Sequence, residues 1–212
     1  MTLLFKTLLV VTATGSLAAT VGCSRGEQRA LSPGGFFGAE LPTPVAKPDF
    51  TFTDSKGQPF PFVAKTAGKV TLLFFGYTHC PDICPVHLAN IAAVLDKLPD
   101  DIQRDVVVIF VTTDPVRDSL PVLDHWVKGF SPVFIGLTAS DSVLAAAQAM
   151  VKLLPAERDT VRDAQGNYAV GHAATVIAYT RDGLGRVVYP FGTRQRDWAH
   201  DLPALVGYGR SP

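Results

Sequence analysis

Apolar residues along this chain fall into three patterns, and each predicts a different element. Residues 69–76, KVTLLFFG, and 105–112, DVVVIFVT, are short, nearly unbroken apolar runs rich in β-branched and aromatic side chains. Their length predicts strands buried on both faces. Phe50 and Phe52, then Phe60 and Phe62, alternate on either side of Asp54-Ser55-Lys56-Gly57. That spacing predicts a β-hairpin. From Leu88 onward, Ile91, Ala92, Leu95 and Leu98 recur at three and four positions, as on one face of a helix. A second helix is predicted over 119–130, with Leu120, Leu123, Trp126 and Val127 on one side. A third runs from a cap at Ser140 and Asp141 to about residue 154, and a closing helix spans 194–206. Apolar stretches at 131–137, 174–180 and 186–189 predict the remaining strands, with a turn at Asp182-Gly183 between the last two.

Strands that alternate with helices predict an α/β domain. The order fits a thioredoxin-like fold: a central mixed β-sheet flanked by helices, with the hairpin at its N-terminal side. The domain is predicted to span 48–212. Residues 24–47 hold Pro33, Gly34, Gly35, Gly38, Pro42 and Pro44 without an apolar period, and are predicted to form a flexible tether.

The first 23 residues carry one charge, Lys6, and an apolar stretch over 7–22. That stretch has the length of a signal-peptide core and is short for a span, which needs about 20 residues. Val21-Gly22-Cys23 resembles a lipoprotein cleavage site, although Thr20 stands where Leu is usual. A lipidated Cys23, a retained N-terminal anchor and plain secretion all place the folded part outside the cytoplasm, on the periplasmic side. The first two tie it to a membrane. The 212 residues suit one domain plus a leader, and 47% hydrophobic content supports a sizeable core. The 19 basic and 19 acidic residues balance. With no basic stripe, nucleic acid is excluded as a partner.

The chemistry concentrates in GYTHCPDICPVH, residues 76–87. Cys80 and Cys84 stand here with three residues between them, and the remaining cysteine is Cys23. They fall at the end of a strand and the start of a helix. Unpaired N–H groups and the helix dipole there favour thiolate over thiol. Pro81 and Pro85 stiffen the loop. A structural disulfide would close too short a loop to constrain the unfolded chain much. A redox pair suits an oxidising compartment, but thioredoxins space their cysteines by two residues and carry a Trp before the first. A metal site needs a further ligand from His79, His87, His125, His172 or His200.

Taken singly, each histidine reads as structural or solvent-facing. His79 should point away from Cys80. His87 stands three residues after Cys84, where it could be a ligand or cover the first helical turn. His125 and His200 sit in helix patterns and read as surface. His172 differs: it lies in a loop directly before the strand at 174–180. In thioredoxin-like folds that loop sits beside the cysteine loop, and no proline occupies it here.

Four blocks, FFGYTHCPDICPVHL, VTTDPVRDSL, FSPVFIGLTAS and YAVGHAATVIAY, together resemble the Sco (SenC) family, copper chaperones for assembly of cytochrome c oxidase. The resemblance covers about 48–206. It implies copper, Cu(I) or Cu(II), held by Cys80, Cys84 and His172, and delivered to the dinuclear copper site of an oxidase subunit. Other periplasmic copper carriers or thiol reductases are further partners. Asp114 falls in the family's Asp-Pro segment and would at most orient the site loop; otherwise it caps the turn before residue 119. The family usually has Asp before the histidine, where this chain has Gly171. The turn at residues 182–185 looks slightly longer than usual. The alternative function is a thiol–disulfide oxidoreductase in which Cys80 attacks and Cys84 resolves. A peroxidase-like redox sensor fits less well, since its Thr/Cys pocket pattern is missing.

Overall fold

A computed structural model describes residues 30–209. In chain order its elements are β1 (Ala39–Ala46), β2 (Thr51–Asp54), β3 (Pro59–Pro61), α1 (Phe62–Lys65), β4 (Val70–Gly76), α2 (Ile83–Leu95), α3 (Asp100–Asp105), β5 (Val106–Thr112), α4 (Leu120–Lys128), β6 (Ile135–Thr138), α5 (Asp141–Met150), β7 (Glu157–Arg158), β8 (Val170–Gly171), β9 (Thr175–Tyr179), β10 (Leu184–Pro190) and α6 (Gln195–Gly207). The large sheet has the order β1-β10-β9-β4-β5-β6-β2-β3. β4, β5 and β6 run parallel, while β9 lies antiparallel to β4, and β2 antiparallel to β6. The sheet is mixed and thioredoxin-like, as the pattern predicts. The hairpin is β2 and β3, with Phe52 facing Phe60.

All seven residues of β4 are buried. Their side chains alternate between two cores, as a period of two requires. Val70, Leu72 and Phe74 meet Leu88 and Ile91 of α2, Leu123 of α4 and Trp198 of α6. Leu73 and Phe75 meet Phe52, Phe62, Leu144 of α5 and Tyr179. With both faces covered, the strand is apolar except at Thr71, whose buried hydroxyl has a partner in Lys47.

The segment expected to be a tether departs from expectation over its described part. Phe36 is buried, and the Phe37 and Gly38 N–H groups donate to the Asp201 carboxylate at 3.0 and 2.9 Å. β1 then adds to β10 as an edge strand, with a register shift between Glu40 and Val45. An edge strand needs neither apolar alternation nor every N–H, so Pro42 and Pro44 are tolerated there. The pattern therefore hid the strand. Also unforeseen were α1, α3 and the small β7–β8 pair. The helix after Ser140 ends at Met150, short of residue 154, and the strand expected at 131–137 is β6. The leader, residues 1–23, lies outside the described residues. Among those described, no helix is long and apolar enough to cross a membrane.

Lys47 follows β1 and is buried. Its Nζ donates to the Thr66 carbonyl at 2.8 Å and the Thr71 hydroxyl at 3.0 Å. Burial pushes its ammonium down to about 8, against the pull of Asp182. Between that value and the ordinary 10.5 the unfolded chain keeps a proton that the folded chain has released, so stability from this group rises with pH. Urea unfolding at pH 7.5 and 9.5 should show wild type gaining on Lys47→Met by on the order of 1 kcal/mol. An unchanged gap would mean that the ammonium titrates as in water.

Candidate metal centre

β4 ends at Gly76, and β9 begins opposite that end, with Phe74 facing Val176. The loop before β9 therefore comes to lie beside the loop after β4. This pairing brings His172 to Cys84 across 88 residues, with Nε2 3.5 Å from Sγ. The ligand atoms of Cys80, Cys84 and His172 all lie within 4.8 Å of one another.

Each is held by its surroundings. Asp82 caps α2, its side chain accepting from the Ile83 N–H at 2.6 Å. The next N–H of that turn, on Cys84, donates to the Cys80 sulfur at 3.4 Å. The orphan donor of a helix start thus faces a sulfur. Gly76 leaves room for the other sulfur: a Cβ there would lie 2.6 Å from Cys84 Sγ. The His172 ring meets Tyr77 edge-on at 5.6 Å, and its Nδ1 lies 3.2 Å from the Ala173 carbonyl. With Nδ1–H donating there, Nε2 turns its lone pair toward the sulfurs.

A thiol hydrogen bond from Cys84, with the Cys84 N–H adding to it, holds Cys80 at about 5 in spite of its burial. Cys84 keeps its proton, pushed up by that same bond to Cys80 and by burial. The pair thus carries one thiolate at neutral pH, on Cys80. In the reduced protein, iodoacetamide at pH 6 should modify Cys80 at least about tenfold faster than Cys84, with a midpoint near 5. Equal rates, or a midpoint near that of an ordinary thiol, would overturn this assignment.

The other histidines stay out of the cluster. His79 is exposed beside Thr78 and Asp118. His125 is exposed, and His200 bonds to Asp201 at 2.7 Å. His87 is buried between Phe74 and Phe191, at 5.1 and 5.7 Å, and burial lowers its pKa.

Two aspartates matter more than the sequence indicated. The Asp114 carbonyl closes the turn before residue 119, accepting from the Arg117 and Asp118 N–H groups at 3.2 and 3.0 Å, but its side chain does more than cap that turn. Its buried carboxylate accepts from Arg117 Nε at 2.5 Å, Arg158 Nε at 3.1 Å and the Tyr168 hydroxyl at 2.8 Å. Arg158 and Tyr168 belong to the β7–β8 arm that leads into His172, so Asp114 ties that arm to the end of β5. The Tyr168 ring lies between the guanidinium groups of Arg117 and Arg162, at 3.5 and 3.7 Å. Asp118, also buried, accepts from the Thr78 N–H at 2.9 Å, the Thr78 hydroxyl at 2.6 Å and the Thr112 hydroxyl at 2.5 Å. It fixes the approach to Cys80. Both lie in the VTTDPVRDSL block, and the density of turn-forming polar residues after a buried strand was the one signal for them.

Two sulfurs and one imidazole form a soft, three-donor set that suits copper, in either Cu(I) or Cu(II) form. Gly171, beside the imidazole, has open space around it: a Cβ at that position would meet the Glu157 carbonyl at 3.7 Å, an ordinary contact.

The SCO1/SenC family model matches residues 39–207. The chain is 34% identical over 141 residues to the mouse protein SCO2 homolog, mitochondrial; the match takes in 66% of this chain and 54% of that protein. The chain thus spans about half the length of that curated relative. Apo Sco1 from Thermus thermophilus superposes with a TM-score of 0.71 at 34% identity, covering 81% of this chain and 97% of that one. Copper-bound ScoI from Bradyrhizobium japonicum gives 0.66 at 30% identity, covering 76% and 99%.

Proposed function

The chain belongs to the SCO1/SenC family, and from that premise we propose that it binds copper at Cys80, Cys84 and His172 and delivers it to the dinuclear copper site of a cytochrome c oxidase subunit. The observation that carries this reading is the meeting of the three donor atoms within 4.8 Å. Copper is the cargo here. This chain's residues hold a thiolate on Cys80, offer the Nε2 lone pair of His172, and keep the sulfurs shielded from water. The work is extracytoplasmic, with the domain tied to a membrane through a lipidated Cys23 or an N-terminal anchor. Other periplasmic copper carriers would supply the metal, and thiol reductases would keep the pair reduced.

A second reading has one observation in its favour. A low-pKa Cys80 beside a protonated Cys84 is also the arrangement of a thiol–disulfide oxidoreductase. The two readings separate on His172→Ala. The full chain is reduced and titrated anaerobically with Cu(I) against a competing chelator, and separately with Cu(II). As a chaperone, wild type binds one equivalent, and His172→Ala loses about tenfold or more in affinity, most of all for Cu(II). If wild type binds weakly, or His172→Ala changes nothing while thiol exchange stays fast, the site is a dithiol reductant.

A further inference from the structure

The three donors are unequally accessible. Cys80 is 8% exposed and Cys84 0%, whereas His172 is half-buried. An incoming ligand therefore reaches the metal from the imidazole side. On that side lies an apolar groove of about 520 Å³, walled by Leu153, Leu154, Pro155, Gly171, His172 and Ala173.

The groove is built. The buried Gln148 of α5 accepts from the Ala156 N–H at 3.1 Å, and its Nε2 lies 3.5 Å from the Leu154 carbonyl. Lys152 turns the chain out of α5 with a φ of 64°. The turn presents Leu154 at 84% exposure, the most exposed large apolar side chain among the described residues. Lys152 and Glu157 stand in its lining with opposite charges, so neither an acidic nor a basic partner is favoured. Leu154 and His172 share one lining, so a partner that buried this leucine would sit beside the donor cluster.

We propose that this groove seats the acceptor protein, receiving an uncharged, bulky apolar side chain that adjoins a thiol on the acceptor's metal-binding loop. This rests on the chaperone reading above. Seated there, the acceptor's thiol lies next to His172 and exchanges first with that ligand. Cu(I) keeps its charge throughout. Each incoming sulfur forms one Cu–S bond as one Cu–N or Cu–S bond to this chain breaks, and the proton shed by the incoming thiol ends on the departing imidazole or thiolate. The sulfurs of Cys84 and Cys80 leave afterwards.

The test loads the full chain with Cu(I) and follows transfer to two acceptors: a purified soluble domain that carries the dinuclear copper site of a cytochrome c oxidase, and the small chelator bathocuproine disulfonate. Leu154→Glu should slow transfer to the protein at least about tenfold. Its Cu(I) affinity and its transfer to the chelator should stay within about twofold of wild type. Val133→Glu, an exposed change elsewhere, should alter neither rate. Raising salt should leave the wild-type rate to the protein nearly constant. Unchanged protein transfer in Leu154→Glu overturns the docking inference, as does equal slowing toward both acceptors. Leu154-dependent dimerisation in sedimentation, or Leu154-dependent binding to phosphatidylcholine vesicles, also overturns it, since the groove would then serve a second copy or a lipid surface. Failure of wild type to bind or release copper overturns the chaperone reading itself.

Discussion

Gly76→Ala is expected to cost this protein its copper nearly as completely as Cys84→Ser, with every ligand still present. A Cβ at position 76 would lie 2.6 Å from Cys84 Sγ and 2.7 Å from the Phe110 ring. Phe110 has nowhere to go: its ring meets Phe74 at 5.8 Å and Trp126 at 4.7 Å. The sulfur is the atom that yields, by turning to another rotamer away from Cys80 and His172. Copper affinity should fall by at least about a hundredfold, since an ill-placed donor must be drawn back against the packing. Stability should fall by about 1–3 kcal/mol, as overpacking a core does. Gly136→Ala provides the control. Its Cβ would meet Leu123 at 2.8 Å, so it should cost comparable stability and leave copper affinity intact. Equal copper binding by wild type and Gly76→Ala would mean that Cys84 is not held against β4.

Asp114→Asn is expected to destabilise the fold by about 3–5 kcal/mol. The carboxylate is buried between Arg117 and Arg158, and only 14% of the Arg117 side chain is exposed. Removing the anion leaves a guanidinium shielded from water without its countercharge, which costs more than the pair itself contributes. The second consequence concerns the site. Asp114 holds Tyr168 and Arg158, and these anchor the arm that ends in His172. Hydrogen exchange over residues 157–171 should therefore quicken. Cu(II) affinity, which leans on the imidazole, should drop more than Cu(I) affinity, which leans on sulfurs carried by β4 and α2. If the two affinities fell equally, Asp114 would be acting on the whole domain and not on the arm.

What could be read without coordinates was local. β4 and β5 announced themselves by nearly unbroken apolar runs, because both faces of each are covered. α2 announced itself by its period, and the two cysteines were legible as a pair because four positions separate them at a strand-to-helix junction. The electronic asymmetry of that junction rests first on the Cys84 thiol donating to the Cys80 sulfur, and the unpaired N–H of the helix start adds to it. His172 stood apart from the other four histidines by its place in the loop before a late strand, and the resemblance to a family then made it a ligand, since periodicity and composition do not tell five histidines apart. β1 was illegible because an edge strand may carry prolines and needs no alternation.

The tertiary structure decided what depends on partners distant in the chain. The antiparallel pairing of β9 on β4 set His172 beside Cys84 and left His87, much closer in sequence, among aromatic rings. The same fold turned Asp114 into the anchor of an arm 44 to 54 residues away, and Asp201 into the clamp for residues 37 and 38. A side-chain period reports which face of an element a residue occupies. Which other element covers that face is set by strand order and register, and the sequence by itself determined a strand, a helix and two sulfurs where the fold made a three-donor centre.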